Sequence, residues 1–426
     1  MHRAVVTGLG LITSIGNSRP EVSANLRAGR HGIAVFPEFE VIKAPIKLAG
    51  TIKGFDFPTA EFEDWKYPST QKIPRETLRP MSPNSLYAWF AMQEAITDAG
   101  LPPALVSNVD TGLMCASGGS MWMAYENLHA MVTRGVQRCP PMGIINGIPG
   151  SLYVNLVPAF HIKGASLGFS SACASSAHSL GAALDLIRDG RQKIVFVVGA
   201  EDCNKFNILP FAGIRALSPQ TNPDLAPRAF DQKRDGFVGT GGATVLVVEQ
   251  LEHARQRVAP TIYAEVTGWG QASDGYNVLA PDPEGSGLAR AMKLALTDAK
   301  ITAGDVDYLN AHATATEFGD RAEIEAIKKV FPAGTGPLVS STKSLTGHGL
   351  SLAGAMESAF CCLALHEGFT PISAKITELD PMCEGVSIVT KPVDAAPTIA
   401  LNNSSGFGGA NVSIVLQRWA DGARAA

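Results

Sequence analysis

Apolar and polar positions along this chain fall into short blocks of two different periods. "KIVFVVGAED" (193–202) is a continuous β-branched run ending near a glycine, the pattern of a strand buried on both faces. "GGATVLVVEQ" (241–250) and "TIYAEVTGWG" (261–270) read the same way and are expected to pair antiparallel with each other. Between such runs stand Ala/Leu-rich segments of helical period, "SLYAWFAMQEAITDAG" (85–100) and "GLARAMKLALTDA" (287–299). Strands alternating with helices predict an α/β fold whose helices cover buried sheets.

The halves of the chain echo each other. "LGFSSACASSAHSLGAALDLI" (167–187) reads strand, polar turn, small-residue helix, and so does "PLVSSTKSLTGHGLSLAGAMESAF" (337–360). "VTGLG" near the start is matched by "VTGWG" at 266–270. This self-similarity suggests a duplicated unit with a site where the copies meet. No low-complexity linker separates them, so they are expected to pack as one body.

Composition narrows the function. Hydrophobic residues make up 46% and charged residues 17% of the 426 positions, which describes a large core and not a disordered chain. The net charge of −4 provides no global basic field for nucleic acid, but leaves room for a local basic patch facing an acidic partner. "MHRAVVTGLGLITSIG" lacks the features of a signal peptide, and no run approaches the ~18 apolar residues of a membrane span. The seven cysteines form no CxxC pair, which argues against a disulfide framework and a zinc site and points to a reducing cytoplasm. "GLGLITSIG" (8–16) lacks both the GxGxxG spacing and the following acidic residue of a dinucleotide site.

Cys173 draws the eye as chemistry. Ala177, Leu180, Leu184 and Ile187 repeat on one helical face after it, Ser175 and Ser176 suit a first turn, and Gly190 suits a terminator. Cys173 therefore falls at or just before a helix N-terminus, where free N–H groups favour a thiolate. It is either a buried core thiol or a nucleophile. His312, in "YLNAHATATEFGD", follows a short strand; His348, in "SSTKSLTGHGLSLAGAMES", precedes a helix and lies five residues after Lys343. Both sit among small residues at strand ends, where α/β folds carry sites, although a lone histidine is more often structural. His178, His253 and His366 fall within helical patterns and read as structural. In "NNSSGFGGANVSIVL" (402–416), glycines 406, 408 and 409 around Phe407 make either a ligand-facing backbone loop or a tight turn into a last strand.

Taken in order, these stretches closely resemble the 3-oxoacyl-(acyl-carrier-protein) synthases of the thiolase superfamily. "SSACASSAHSLG" is most like synthase I, with synthase II next. The likeness runs from "VVTGLGLITSIG" through "RAFDQKRDGFVGTGGATVLVVEQLEHA" to "GFGGANVSIVL". It implies a thiolase-like fold: duplicated βαβαβαββ halves, 1–255 carrying the cysteine and 256–426 the histidines and lysine, in an αβαβα sandwich. By resemblance Cys173 is the acyl-accepting nucleophile and His312 and His348 complete a Cys-His-His triad. Lys343 orients the site, and Thr314 and Thr316 bond the pantetheine arm. Phe407 gates the site, its N–H joining that of Cys173 in an oxyanion hole, with Gly408 beside the substrate. Asp320, Glu323 and Glu357 form a supporting acidic network.

The implied reaction moves an acyl group to Cys173 and condenses it with a decarboxylating malonyl thioester. It needs no metal or redox cofactor, since phosphopantetheine arrives on the carrier protein. An acyl carrier protein is acidic, so Arg75, Arg79, Arg134 and Arg138 are candidates for its docking. A homodimer is implied, and a heterodimer with a related subunit stays open. The alternative is a non-catalytic partner resembling a chain-length factor, a class that lacks the nucleophile. Three departures from the family pattern bear on the substrate: Ala313 and Ala315 stand where glycine and serine are usual, and Ser405 replaces an aromatic. A specialised synthase making polyene or polyketide-like lipids fits them as well as one serving fatty-acid synthesis.

Overall fold

The computed structural model describes residues 1–69, 72–393 and 395–420. The first half contributes strands β1 (Ala4–Ile12), β2 (Thr111–Ala116), β3 (Ser166–Phe169), β4 (Ile194–Glu201) and β5 (Gly242–Gln250). The second contributes β6 (Ala264–Ser273), β7 (Tyr308–Asn310), β8 (Leu338–Ser340), β9 (Ser387–Ile388), β10 (Ile399–Gly406) and β11 (Ala410–Arg418). They form one sheet in the order β9-β8-β7-β10-β11-β6-β1-β5-β4-β2-β3.

The expected duplication is visible in that order. Counting outward from the seam, each half runs first, fifth, fourth, second, third strand. The directions match too: the inner two pairings of each half are antiparallel and the next two parallel. Strand β9 is an addition with no counterpart in the first half. The expected pairing of 241–250 with 261–270 is not found. Both segments instead flank β1, which is buried along its whole length and joins β6 through Ala4–Val266, Val5–Glu265 and Val6–Ala264. A strand apolar on both faces belongs inside a sheet, and β1 takes the central place.

Helices α1 (Pro83–Asp98), α2 (Ser175–Arg188), α3 (Ser286–Ala299), α4 (Glu317–Val330) and α5 (Ala353–Glu367) complete an αβαβα sandwich. Along β4, side chains alternate between two cores. Val195 and Val197 pack with α2 and α5 in the middle layer; Ile194, Phe196 and Val198 pack with α1 outside. The outer layer of the second half is made by α3 and α4 over Leu309, Leu401 and Val415. The middle helices continue from equivalent strands, α2 after β3 and α5 after β8, so the turns between them meet at the centre.

Two contacts hold that centre. A Cβ on Gly354 would lie 2.5 Å from the Ala177 backbone nitrogen, so α5 and α2 touch backbone to backbone. Strand β4 ends on buried Glu201, whose Oε1 accepts from the Gly118 N–H at 2.8 Å and from the Ser351 hydroxyl. Burial pushes the Glu201 carboxyl up to about 7, while those donors pull it back. We expect Gly354→Val to lower stability by about 1–3 kcal/mol through forced separation of the helices. Unchanged thermal unfolding of that variant contradicts the packing described. Because the folded carboxyl titrates above its unfolded value, stability is greatest below about 4.5 and falls as pH rises toward about 7. Glu201→Gln should therefore raise the melting temperature more at pH 8 than at pH 5, by the equivalent of up to roughly 3 kcal/mol. An equal effect at both pH values contradicts it.

Candidate active site

Cys173 stands two residues before α2, as its sequence setting predicts. The turn that places it is fixed by Ser175, whose hydroxyl accepts from the Ser171 N–H (2.8 Å) and donates to the Ala172 carbonyl (2.6 Å). Ala172 adopts φ 50°, a left-handed conformation costing a non-glycine residue about 1 kcal/mol. The glycine-rich loop closes on this turn. A Cβ at Gly406 would lie 2.6 Å from the Ser171 oxygen and 3.1 Å from the Cys173 nitrogen, so glycine alone permits the approach. Among the described residues, the amides of Cys173 and Phe407 serve no turn or loop hydrogen bond.

The second half supplies the histidines. His348 follows a glycine turn after β8 and is anchored by its N–H to Val238 O (2.7 Å) and its carbonyl from Thr240 N–H (3.0 Å). Its Nε2 lies 3.1 Å from Cys173 Sγ. His312 follows β7, and the two imidazoles stand edge to face with centroids 5.3 Å apart. Glu323 of α4 fixes the His312 backbone, accepting from the N–H groups of His312 (3.0 Å) and Ala313 (2.6 Å) and from the Asn403 amide (3.1 Å). Asp320 does the same one turn earlier, accepting from Ala315 (3.0 Å) and Phe230 (2.9 Å) N–H groups beside Arg234. Lys343, 1% exposed, donates to Glu357 of α5.

Burial governs the charges. It holds both histidines well below their ordinary pKa, and the Lys343 ammonium pushes in the same direction. The rings are therefore neutral at physiological pH. Cys173 departs from the expectation for a helix N-terminus: burial pushes its thiol up to about 12, and Lys343 only partly opposes this. Desolvation outweighs the helix end. Glu357 and Asp320 are each raised to about 7 by burial, against Lys343 and the Phe230 N–H respectively, and burial also raises Glu323, against its Asn403 and backbone donors.

A cavity of about 610 Å³ opens over Cys173, His312 and His348. Thr314 and Thr316 line it with hydroxyls 3.0 Å apart. A file of rings runs inward from half-exposed Phe407 to Phe211 (6.1 Å), Phe237 (5.5 Å) and His348 (5.2 Å). Phe211, Phe237 and exposed Arg215 of the wall have no local sequence signal, because long chain separations bring them here; Phe237 lies within the family-like stretch "RDGFVG". Gly408 corrects one expectation. It is not on the wall: at φ 79° it turns the loop, and its N–H is taken by the Val278 carbonyl at 3.0 Å. The candidate docking residues Arg75, Arg79, Arg134 and Arg138 are exposed but do not line the cavity, and Arg75 pairs with Glu63 at 2.6 Å. Of the departures, Ala315 holds φ 66°, a conformation that favours glycine. Ser405 donates to Asn411 Oδ1 at 2.7 Å.

Known proteins carry the same organisation. The N-terminal domain model of beta-ketoacyl synthase matches residues 1–254, and the C-terminal domain model matches 263–377. The 3-oxoacyl-(acyl-carrier-protein) synthase 1 of Haemophilus influenzae is 40% identical, covering 98% of this chain and 100% of its own. That of Escherichia coli is 38% identical over 99% and 100%. A crystal structure of a beta-ketoacyl synthase from Burkholderia phymatum superposes with a TM-score of 0.89 at 32% identity, covering 99% of this chain and 100% of that one. The ishigamide ketosynthase/chain length factor superposes at 0.87 with 30% identity, covering 98% and 100%. With both domain models matched in order and full-length relatives at this identity, the chain belongs to the beta-ketoacyl synthase family.

Proposed function

We infer that this chain condenses an acyl group, held on Cys173, with a malonyl thioester on a carrier protein, releasing CO2 and a 3-oxoacyl thioester. The observation that carries the reading is Cys173 Sγ at 3.1 Å from His348 Nε2, with His312 facing the same cavity. In the first half-reaction Sγ attacks the acyl carbonyl, His348 Nε2 accepts the thiol proton, and the departing carrier sulfur receives it. The Cys173 and Phe407 amides, unspent on the fold, suit the tetrahedral oxyanion, each such donor contributing about 3 kcal/mol. In the second, the malonyl C–CO2 bond breaks and its electron pair becomes an enolate. Neutral imidazoles donate to that oxygen without surrendering a proton, which their low pKa ensures. The enolate carbon bonds to the acyl carbonyl, the C–S bond breaks, and the released Cys173 thiolate takes up one proton from water entering the cavity.

Lys343 supplies positive potential while Glu357 keeps it fixed. Thr314 and Thr316 take the pantetheine arm, and Phe407 gates the cavity. No step calls for a metal or redox cofactor. An intact cysteine disfavours the non-catalytic partner reading. An acidic carrier protein meets Arg215 at the cavity, with Arg134 and Arg138 as outlying contacts. A second copy of the chain is the proposed subunit partner. Edge strand β3 exposes Leu167, and the helix Met121–Arg134 exposes Met121, Leu128 and Val132. No helix among the described residues is long and apolar enough to cross a membrane, and all seven cysteines are free, which suits a reducing cytoplasm.

Cys173→Ala should abolish 3-oxoacyl product from acyl- and malonyl-carrier thioesters; condensation surviving in that variant refutes the assignment. Alkylation of Cys173 by iodoacetamide, followed by peptide mass spectrometry, should quicken about tenfold per pH unit from 7 to 9, because the thiol stays well below its pKa of about 12. No inflection is expected near 6.5, since the histidines remain neutral. A rate that levels off below pH 8 contradicts the electrostatics described.

A further inference from the structure

The side chains that handle protons in the proposed reaction are also three soft donors. Cys173 Sγ and one ring nitrogen each of His312 and His348 lie within 4.8 Å of one another, and all three residues are buried against the cavity of about 610 Å³. Positions 173, 312 and 348 are too far apart to make a sequence motif for a metal; the fold alone brings them together. In a tetrahedral zinc site, bonds of about 2.3 Å to sulfur and about 2.0–2.1 Å to nitrogen place the donors roughly 3.3–3.6 Å apart. His348 Nε2 already stands 3.1 Å from Sγ, and the two rings meet edge to face at 5.3 Å, so modest ring rotations close the site. Sulfur and imidazole nitrogen, with no oxygen among them, select zinc over magnesium or calcium. The fourth position faces the cavity and is left for water.

The charges around these donors admit a cation. The Lys343 ammonium is bound to Glu357, and the carboxylates of Glu201 and Glu357 both oppose its effect on Cys173. Glu323 adds a further carboxylate behind the His312 backbone. What lies beyond the donors sets the strength of binding. Among the described residues neither His312 Nδ1 nor His348 Nδ1 has a hydrogen-bond partner, so no carboxylate or carbonyl raises the basicity of the rings. Such a site holds a metal reversibly and does not suit a resident cofactor.

We propose that Cys173, His312 and His348 form an inhibitory site for Zn2+, which shuts the enzyme by occupying the groups that the reaction needs. The effect on turnover rests on the condensing reading above, whereas the binding rests on the three donors alone. A Zn–S bond forms as the S–H bond breaks, and the proton leaves to solvent with no change of oxidation state. The metal takes the His348 Nε2 lone pair that otherwise receives the thiol proton, so Sγ no longer attacks an acyl carbonyl. An acyl group already on Cys173 removes the thiolate donor, and the acyl-enzyme therefore resists the metal.

Binding and activity are tested separately. Titration of the full chain with Co2+ as a coloured substitute should raise a thiolate-to-cobalt charge-transfer band in the near ultraviolet at a stoichiometric equivalent, and Zn2+ should displace it. Cys173→Ala should lose the band. His312→Ala and His348→Ala, with folding checked by thermal unfolding, should each weaken binding by more than the roughly tenfold that loss of an outer partner costs. Acylation of Cys173 from an acyl-carrier thioester, followed by mass spectrometry, should stop at an equivalent of Zn2+ and resume when EDTA is added. Enzyme acylated beforehand should still complete a single condensation in the same Zn2+. No band in the wild type, a band that survives in Cys173→Ala, or acylation that continues with zinc bound overturns the proposal. A wild type that shows the band yet transfers no acyl group in metal-free buffer overturns the condensing reading instead and upholds the metal site.

Discussion

A lysine ammonium with almost no exposure survives only beside its counter-charge, and the Lys343–Glu357 contact is the constraint on which the centre depends. The pair joins the turn after β8 to α5, so the charge that sets the potential of the site is bolted to the middle layer of the sandwich. It reinforces the neutrality of His312 and His348, which comes first from the loss of water and then from the Lys343 ammonium. Neutral rings are what an enolate needs as donors, because an imidazolium would hand over its proton and quench the carbanion.

The same desolvation gives Cys173 a high pKa, so the site does not rest as a thiolate waiting for substrate. In the proposed reaction its reactivity is assembled at the moment of attack by the His348 contact and the amides of Cys173 and Phe407. Two half-sites cooperate here: the first copy of the fold brings the sulfur, the second the imidazoles and the ammonium, at equivalent crossings from strand to middle helix.

Much of this was legible in the sequence where the information was local. Cys173 before its helix, His312 after a strand, and His348 with Lys343 ahead of α5 all follow from short stretches whose residue types suit only one backbone. Features built from distant segments were not legible. The seam strand β1 could not be placed between β5 and β6 from periodicity, since β1 and β5 are buried on both faces and carry no register of their own. Phe211 and Phe237 reach His348 only through tertiary packing. The Cys173 charge state was misjudged because a helix end is visible in sequence and burial is not. Gly408 reads like a ligand-facing glycine, yet its amide is needed to tie its loop to Val278.

The central position of β1 has a consequence for how the molecule is made. On the ribosome its residues emerge well before the partners of Ala4, which lie far along the chain at Gln250 and Val266. At synthesis rates of about 5–20 residues per second, an apolar edge waits unpaired for on the order of tens of seconds. High contact order of this kind slows folding and invites aggregation, so the nascent chain is a natural client for chaperones until its seam can close.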